Sequence, residues 1–305
     1  MCNSNDSVIN LFQLNIQSLS NKILQTNTFL QADQPLDILC INEHWLQEDQ
    51  LGVCLFENYT LLSHFCRREH IHGGVSIFVH NSVLPLCKTL KVERYCKEIH
   101  AEFAAIKFRN FNIISLYRST KGSFDIFLIQ LELLLTEMCK KNELIIISGD
   151  FNTYFNLNDN QVQTLRYLLR SFDLKELITS PTRGKNCLDN IFTNLSADKY
   201  LATAYNPGLS DHAGVCITFM TSKINTVKKE ITHRPVTQLG LFKFYNHMEQ
   251  VNWDFVDNNT LNCQEKFDTF YKKISNAVEF CFPLKTFRTT NITKIKGVGL
   301  RNDLG

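Results

Sequence analysis

Asp150 and Asn152 stand one residue apart at the end of an apolar run, 143–152, whose isoleucines lead through Ser148 and Gly149 into a carboxylate and a carboxamide. A buried strand fixes its own end, so this pattern predicts two polar groups held rigidly on alternate positions. The same grammar recurs along the chain. The run 8–14 ends at Asn15, 38–41 is followed one residue later by Glu43, 111–116 ends at Tyr117 and Arg118, and Ser210-Asp211-His212 precedes the apolar run 213–219. Five such strands would place Asn, Glu, Tyr, Asp, Asn, Asp and His along one sheet edge. That set holds oxygen ligands for a hard divalent cation, together with groups able to move a proton. Any one of them alone is an ordinary solvated strand end; their recurrence is what carries weight.

The elements that must position these groups alternate in type. The clearest helix is expected over 123–141, where Phe124, Phe127, Leu128, Leu131, Leu134, Leu135 and Met138 follow three-and-four spacing, with Ser123 as its N-cap. A second is expected over 161–172. Strands interleaved with helices up to Thr221 predict an α/β sandwich. Beyond that residue the character changes: 222–235 is polar and basic and reads as a linker, amphipathic helical patterns follow around 241–251 and 263–280, and 291–305 has no periodicity. The expected division is a domain over 1–221, a linker and helical extension over 222–290, and a disordered tail over 291–305.

At 305 residues and 44% apolar content the chain can bury a sizeable core. No apolar run approaches membrane-spanning length and no signal-peptide pattern opens the sequence, so no membrane partner is expected and a nuclear or cytoplasmic location is. Eleven cysteines without paired short spacing predict reduced thiols rather than a disulfide framework. Cys66, His70 and His72 lie close together but lack a fourth partner at a recognised zinc spacing, and are expected to belong to a surface loop. The region up to Thr221 nets −3 and the remainder +5, within a total of +2, so charge does not by itself separate a nucleic-acid binder from other classes.

Eight segments in order resemble the endonuclease/exonuclease/phosphatase superfamily: 14–19 (LNIQSL), 41–46 (INEHWL), 73–80 (GGVSIFVH), 116–118 (LYR), 148–152 (SGDFN), 181–183 (PTR), 188–194 (LDNIFTN) and 210–212 (SDH). In detail they are most similar to the apurinic-type endonuclease domain that opens the reverse transcriptases of jockey-like non-LTR retrotransposons. The resemblance implies a four-layer α/β sandwich, two packed and mainly antiparallel sheets flanked by helices, followed by the short helical extension. It implies a Mg2+-dependent DNA endonuclease, with Mn2+ able to substitute, that leaves a 3′-hydroxyl to prime reverse transcription; element RNA and a reverse transcriptase domain would be partners in the intact element. No Tyr-x-Asp-Asp polymerase signature occurs, and the chain reads as a fragment of a longer reading frame. Other phosphoesterases share the scaffold, and a silent remnant that only binds nucleic acid or a partner is the non-enzymatic alternative.

Hydrolysis of a phosphodiester needs an activated water, neutralised phosphoryl oxygens and a stabilised leaving oxygen. Glu43 suits the metal, with Asn15 and Asp211 as neighbouring ligands, although Asn15 could instead cap a helix starting at Gln17. Asp150 and His212 compete as general base. By resemblance Asp189 orients His212, which favours His212 as the phosphate contact and Asp150 as the base. Asn152 is expected to orient water or phosphate, and Tyr117 to stabilise developing charge. Arg118, Thr182 and Arg183 are expected to contact the DNA backbone, with a structural ion pair the rival at Arg118. Trp45 reads as core or as a stacking surface. Two departures stand out: Ser119-Thr120 replaces prolines common in the family, and Gln17 stands where the repair enzymes are acidic, which favours the retrotransposon branch over repair.

Overall fold

A computed structural model describes residues 7–31, 36–139, 143–221 and 227–291. In chain order its first half contains β1 (Val8–Asn15), α1 (Ile23–Leu30), β2 (Ile38–Asn42), α2 (Glu48–Gly52), β3 (Tyr59–Phe65), β4 (Val75–His80), β5 (Cys87–Thr89), β6 (Glu102–Phe108) and β7 (Phe111–Tyr117). The second half contains α3 (Phe124–Met138), β8 (Leu144–Asp150), α4 (Asn160–Arg170), β9 (Lys175–Glu176), β10 (Asp189–Thr193), β11 (Tyr200–Tyr205), β12 (Gly214–Met220), β13 (Val227–His233), α5 (Gln238–Glu249), α6 (Cys263–Cys281) and β14 (Lys285–Asn291).

Two six-stranded mixed sheets stack face to face, ordered β11-β12-β1-β2-β4-β3 and β5-β6-β7-β8-β10-β9. Each is built around one parallel pair, β1/β2 and β7/β8, with antiparallel neighbours outside it. Parallel neighbours need a crossover, and α1 and α3 supply them. The two-residue period sorts the side chains. Ile9, Leu11, Ile38 and Cys40 enter the core between the sheets, whereas Phe12, Leu14, Leu39 and Ile41 face a second cluster with Leu30 and Phe56. Helices α3 and α4 add Phe127, Leu131, Leu165 and Leu169 to the main core. This is the expected α/β sandwich.

The parallel strands β1, β2, β7 and β8 end, and the antiparallel strands β4, β6, β10 and β12 begin, at one edge. Asn15 is level with Asn42, Tyr117 with Asp150 and Glu102, and Asp150 with Asp189. The other edge holds the ends of the sandwich: Thr221 N–H donates to the Ser7 carbonyl at 3.1 Å, and the two hydroxyls are 2.9 Å apart.

Several expected boundaries move. The 123–141 helix is α3, capped by Ser123 as expected and ending at Met138, with Lys140 and Lys141 outside the described residues. The 161–172 helix starts one residue earlier, at Asn160, behind an Asp159 cap. No helix begins at Gln17; the first one starts at Ile23 because Gln17 and Ser18 both take positive φ. The stretch read as a linker contains β13, paired antiparallel with β14. The amphipathic patterns are α5 and α6, and α5 is tied to α3 by Thr237 Oγ1 donating to the buried Glu132 at 2.7 Å. The expected tail lies outside the described residues except Asn291, which ends β14.

Gly149 precedes Asp150 where β8 passes close to β7. A Cβ there would lie 2.0 Å from the Leu116 carbonyl oxygen, which is backbone and cannot swing aside. Gly149→Ala is expected to lower stability by about 1–3 kcal/mol through overpacking, read as a fall in the urea midpoint at unchanged slope. An unchanged midpoint would show that β7 and β8 are not held this closely.

Candidate active site

The residues that end these strands meet across the gap between the sheets. Asn15 is fully buried at the end of β1, and its Nδ2 donates to Glu43 Oε1 at 2.9 Å and to Asp150 Oδ2 at 2.8 Å. Asp150 ends β8 in the opposite sheet; its Oδ1 accepts from Asn152 N–H at 2.8 Å. Beside it Asp189, the first residue of β10, accepts from His212 Nδ1 at 2.8 Å and from Gln13 Nε2 at 3.3 Å. Tyr117 ends β7 and bonds to Glu43. Asp150, Asp189 and His212 each offer a ligand atom within 4.8 Å of the other two, and all three are buried.

Charge follows from this crowding. Burial, and then the charge of Asp189, push the Asp150 carboxyl up to about 7, against the pull of His212 and of its hydrogen bonds. Burial disfavours a charged His212, but the Asp189 hydrogen bond and the charges of Asp189 and Asp150 outweigh it and push the ring up to about 9. Its Nε2 is buried without a hydrogen-bond partner. Burial, with Glu43 and Asp150 beside it, raises Tyr117 above the ordinary phenol range, so its hydroxyl stays protonated.

Residues 12–212 match the endonuclease/exonuclease/phosphatase family in sequence. The chain belongs to that family. No curated protein matches it in sequence. Among solved structures it is similar to the endonuclease domain of TRAS1, a telomere-specific non-LTR retrotransposon, at 16% identity and TM-score 0.53, covering 70% of this chain and 98% of that one. It is also similar to the 3′-5′ exonuclease NExo from Neisseria meningitidis, at 17% identity and TM-score 0.54, covering 69% and 99%. An AP endonuclease from Archaeoglobus fulgidus gives 15% identity and TM-score 0.53 over 69% and 99%. These likenesses establish the fold. A nuclease- and phosphatase-type hydrolase fold is thus paired with a cluster that can hold a metal. Asp150 and Asp189 present hard oxygen donors beside the orphaned His212 Nε2, with Glu43 on the far side of the Asn15 amide, a donor set that fits a divalent cation.

Within this family architecture, other expected site residues are placed differently. Asp211 is half exposed and paired with Arg183, Oδ2 to Nη2 at 2.7 Å, rather than bonded to Asn15 or Glu43. Asn15 gives its amide nitrogen to two carboxylates and so spaces them, while its oxygen accepts from Gln17 N–H. Asn152 is not on a continuing strand: β8 stops at Asp150, Asn152 takes φ 47°, and its Nδ2 donates to the Arg118 carbonyl at 2.7 Å.

Two of the three expected DNA contacts are supports. Arg118 is buried under Phe124 and Phe127, and its guanidinium donates to the Phe151 and Asn152 carbonyls, holding the turn after Asp150. The buried Thr182 hydroxyl accepts from the Leu188 and Asp189 N–H groups at 3.0 Å each, which sets the start of β10. Arg183 alone reaches solvent. Trp45 is no core residue: it is 36% exposed, donates to Glu43 Oε2 at 2.8 Å and stacks on His72 with ring centroids 4.2 Å apart.

Sequence reasoning passed over the residues beneath. Asn42 Oδ1 accepts from Gln13 Nε2 at 2.7 Å and from Asp150 N–H at 3.1 Å, while its Nδ2 donates to Ser115 at 3.2 Å. His44 is buried and pushed down to about 4, mainly by burial, and therefore neutral; Nδ1 accepts from Leu46 N–H while Nε2 bonds the Phe65 carbonyl. It braces the turn in which Glu43 and Trp45 both take positive φ. Gly74 must be glycine here, since its φ is +89° and a Cβ would lie 2.3 Å from the His44 ring. The one available signal was that Asn42, like Asn15, is a polar residue closing an apolar strand.

Both raised groups bind protons more tightly in the folded protein than in the unfolded chain. Stability should therefore fall with rising pH, through about 4 to 7 for Asp150 and through about 6.5 to 9 for His212. With EDTA present, Asp150→Asn is expected to flatten the lower part of a plot of urea midpoint against pH. Curves that stay parallel for variant and wild type would contradict this electrostatic picture.

Proposed function

We propose that this chain is a Mg2+-dependent endonuclease that nicks duplex DNA and leaves a 3′-hydroxyl, acting in a jockey-like non-LTR retrotransposon. The observation that carries the reading is the buried Asp150, Asp189 and His212 cluster, joined through Asn15 to Glu43 at the common strand edge. The retrotransposon assignment rests on the eight ordered segments and on the likeness to the TRAS1 domain. Residues 1–221 form the nuclease domain in this reading, and 222–290 lead toward a reverse transcriptase that works with element RNA.

Glu43 and its neighbours would hold a divalent cation, Mg2+ or Mn2+, which would supply neutralisation of the phosphoryl oxygens. Asp150 takes the proton from the attacking water; Asn15 and the Asn152 amide fix its two oxygens, and a value near 7 suits a base working near neutral pH. His212, kept cationic by Asp189, donates from Nε2 to a phosphate oxygen. Tyr117 donates to the developing negative charge. Asn152 orients water or phosphate, and Arg183 at the rim contacts the backbone.

Nicking of supercoiled plasmid in Mg2+ tests this. Relaxed circles should appear, vanish with EDTA, and serve a polymerase directly as primed template. Asp150→Ala and His212→Ala should each reduce the rate by about 100-fold or more. Folded protein that binds DNA and does not nick would sink the nuclease reading and leave a binding remnant, whereas release of terminal phosphate alone would point to another phosphoesterase. The rate should fall on the alkaline side as His212 loses its proton near pH 9, and Asp189→Asn, which removes the charge holding that proton, should move this limb to lower pH. Arg183→Ala should reduce the slope of log affinity against log salt by about 1, whereas Arg118→Ala should leave the slope unchanged because the guanidinium faces the protein.

A further inference from the structure

Away from that cluster, three side chains of different ligand chemistry converge where α2 meets the end of β3. His64 and Cys66 are two residues apart, the strand period that turns side chains to one face. Glu48, the first residue of α2, meets them there: its Oε1 lies 2.5 Å from His64 Nε2. One ligand atom from each of Glu48, His64 and Cys66 lies within 4.8 Å of the other two. The trio runs from interior to solvent, with Cys66 buried at 8% exposure, His64 half-buried and Glu48 exposed. The Cys66 thiol makes no hydrogen bond among the described residues, and the charges acting on it, Glu48, Asp49 and Glu102, are all acidic. The three residues open onto a surface cleft of about 880 Å³ that His70, Cys96, Glu98 and His100 also line.

We propose that Glu48, His64 and Cys66 form a second metal site, selective for Zn2+ and separate from the oxygen-rich centre at the strand edge. The donor set decides the class: thiolate and imidazole suit a borderline-soft ion, whereas Mg2+ prefers oxygen. Ligands bound at about 2.0–2.3 Å to a tetrahedral ion stand roughly 3.3–3.8 Å from one another, so admitting the ion takes a movement of about 1 Å that parts Glu48 Oε1 from His64 Nε2. Glu48, exposed on a short helix, has the freedom to make it. On binding, the S–H bond breaks, sulfur becomes the ligand and the proton passes to water. The fourth position faces the cleft and takes water. Such an ion would fasten α2 to the end of β3, the two elements that flank the turn of Glu43 and Trp45 and the loop carrying His72.

Cobalt(II) titration of the full chain tests this independently of any nuclease activity. Thiolate bound to cobalt gives a near-ultraviolet charge-transfer band, and Asn15, Glu43, Asp150, Asp189 and His212 carry no sulfur. The band should appear at one equivalent, be displaced by Zn2+, persist in Asp150→Ala and Cys96→Ala, and vanish in Cys66→Ala. Should Cys66→Ala fail to fold, His64→Ala and Glu48→Gln, at less buried positions, should each weaken Zn2+ binding at least about tenfold in competition with a chelator. No band in folded wild type, a band that survives Cys66→Ala, or unchanged Zn2+ affinity in both other variants would overturn the site.

Discussion

Polar side chains that cross from one sheet to the other fix this molecule at the end where Asp150, Asp189 and His212 meet. Asn42 from β2 holds the backbone N–H of Asp150 in β8, Asn15 from β1 holds its carboxylate, and Gln13 reaches Asp189 in β10. These bonds lie in a buried interface where an unmatched donor or acceptor costs about 1–3 kcal/mol. The sheets therefore cannot slide or separate at that edge without leaving several such groups unmet. Away from that edge the contact between the sheets is mostly apolar, through residues such as Ile9, Leu11, Ile106, Phe111 and Phe219, and burial of that kind has no directional requirement. The geometry of the carboxylates is thus a property of how two sheets pack and belongs to no single strand.

The arrangement also explains why acidic groups collect there. Each sheet has one parallel pair bridged by a helix, and all four of those strands end at the same edge. Asn15, Tyr117 and Asp150, together with Glu43 just beyond β2, arrive from separate parts of the sequence at one place. Asp189 and His212 come from the opposite direction, at or just before the start of an antiparallel strand. The burial that holds Asp150 rigid also raises the free energy of its charged form, a cost that a cation bound there would offset.

Much of this was legible in the sequence because apolar runs reveal strands and the residue that closes a run is visible beside it. Asn15, Glu43, Tyr117, Asp150, Asp189 and His212 were found in that way or by family likeness, and the structure brings them together. What a sequence does not display is the surroundings of a donor. Arg118, with a structural ion pair as its rival reading, and Thr182 were expected to meet a phosphate, but backbone carbonyl and amide groups from other segments claim them. Asn42 and Gln13 received no role from the sequence; it is the strand register that sets Asn42 beside Asn15. The β13–β14 pair was hidden because its partners lie more than fifty residues apart and 222–235 lacks an alternating apolar pattern. The Glu48, His64 and Cys66 trio has no recognisable spacing because one member comes from a helix start and two from a strand end.

The Ser7–Thr221 contact carries a consequence of its own. β1 runs eight residues from that contact to Asn15, roughly 23 Å at the rise of a strand. The chain beyond Thr221 thus leaves the two sheets at the pole opposite Asp150 and is next fastened along α3, where Gln238 reaches Asp125 and Thr237 reaches Glu132. With its two ends already touching, the sandwich is also suited to circular permutation: the ends could be spliced and the chain reopened at a surface turn, leaving every strand of the two six-stranded sheets in place.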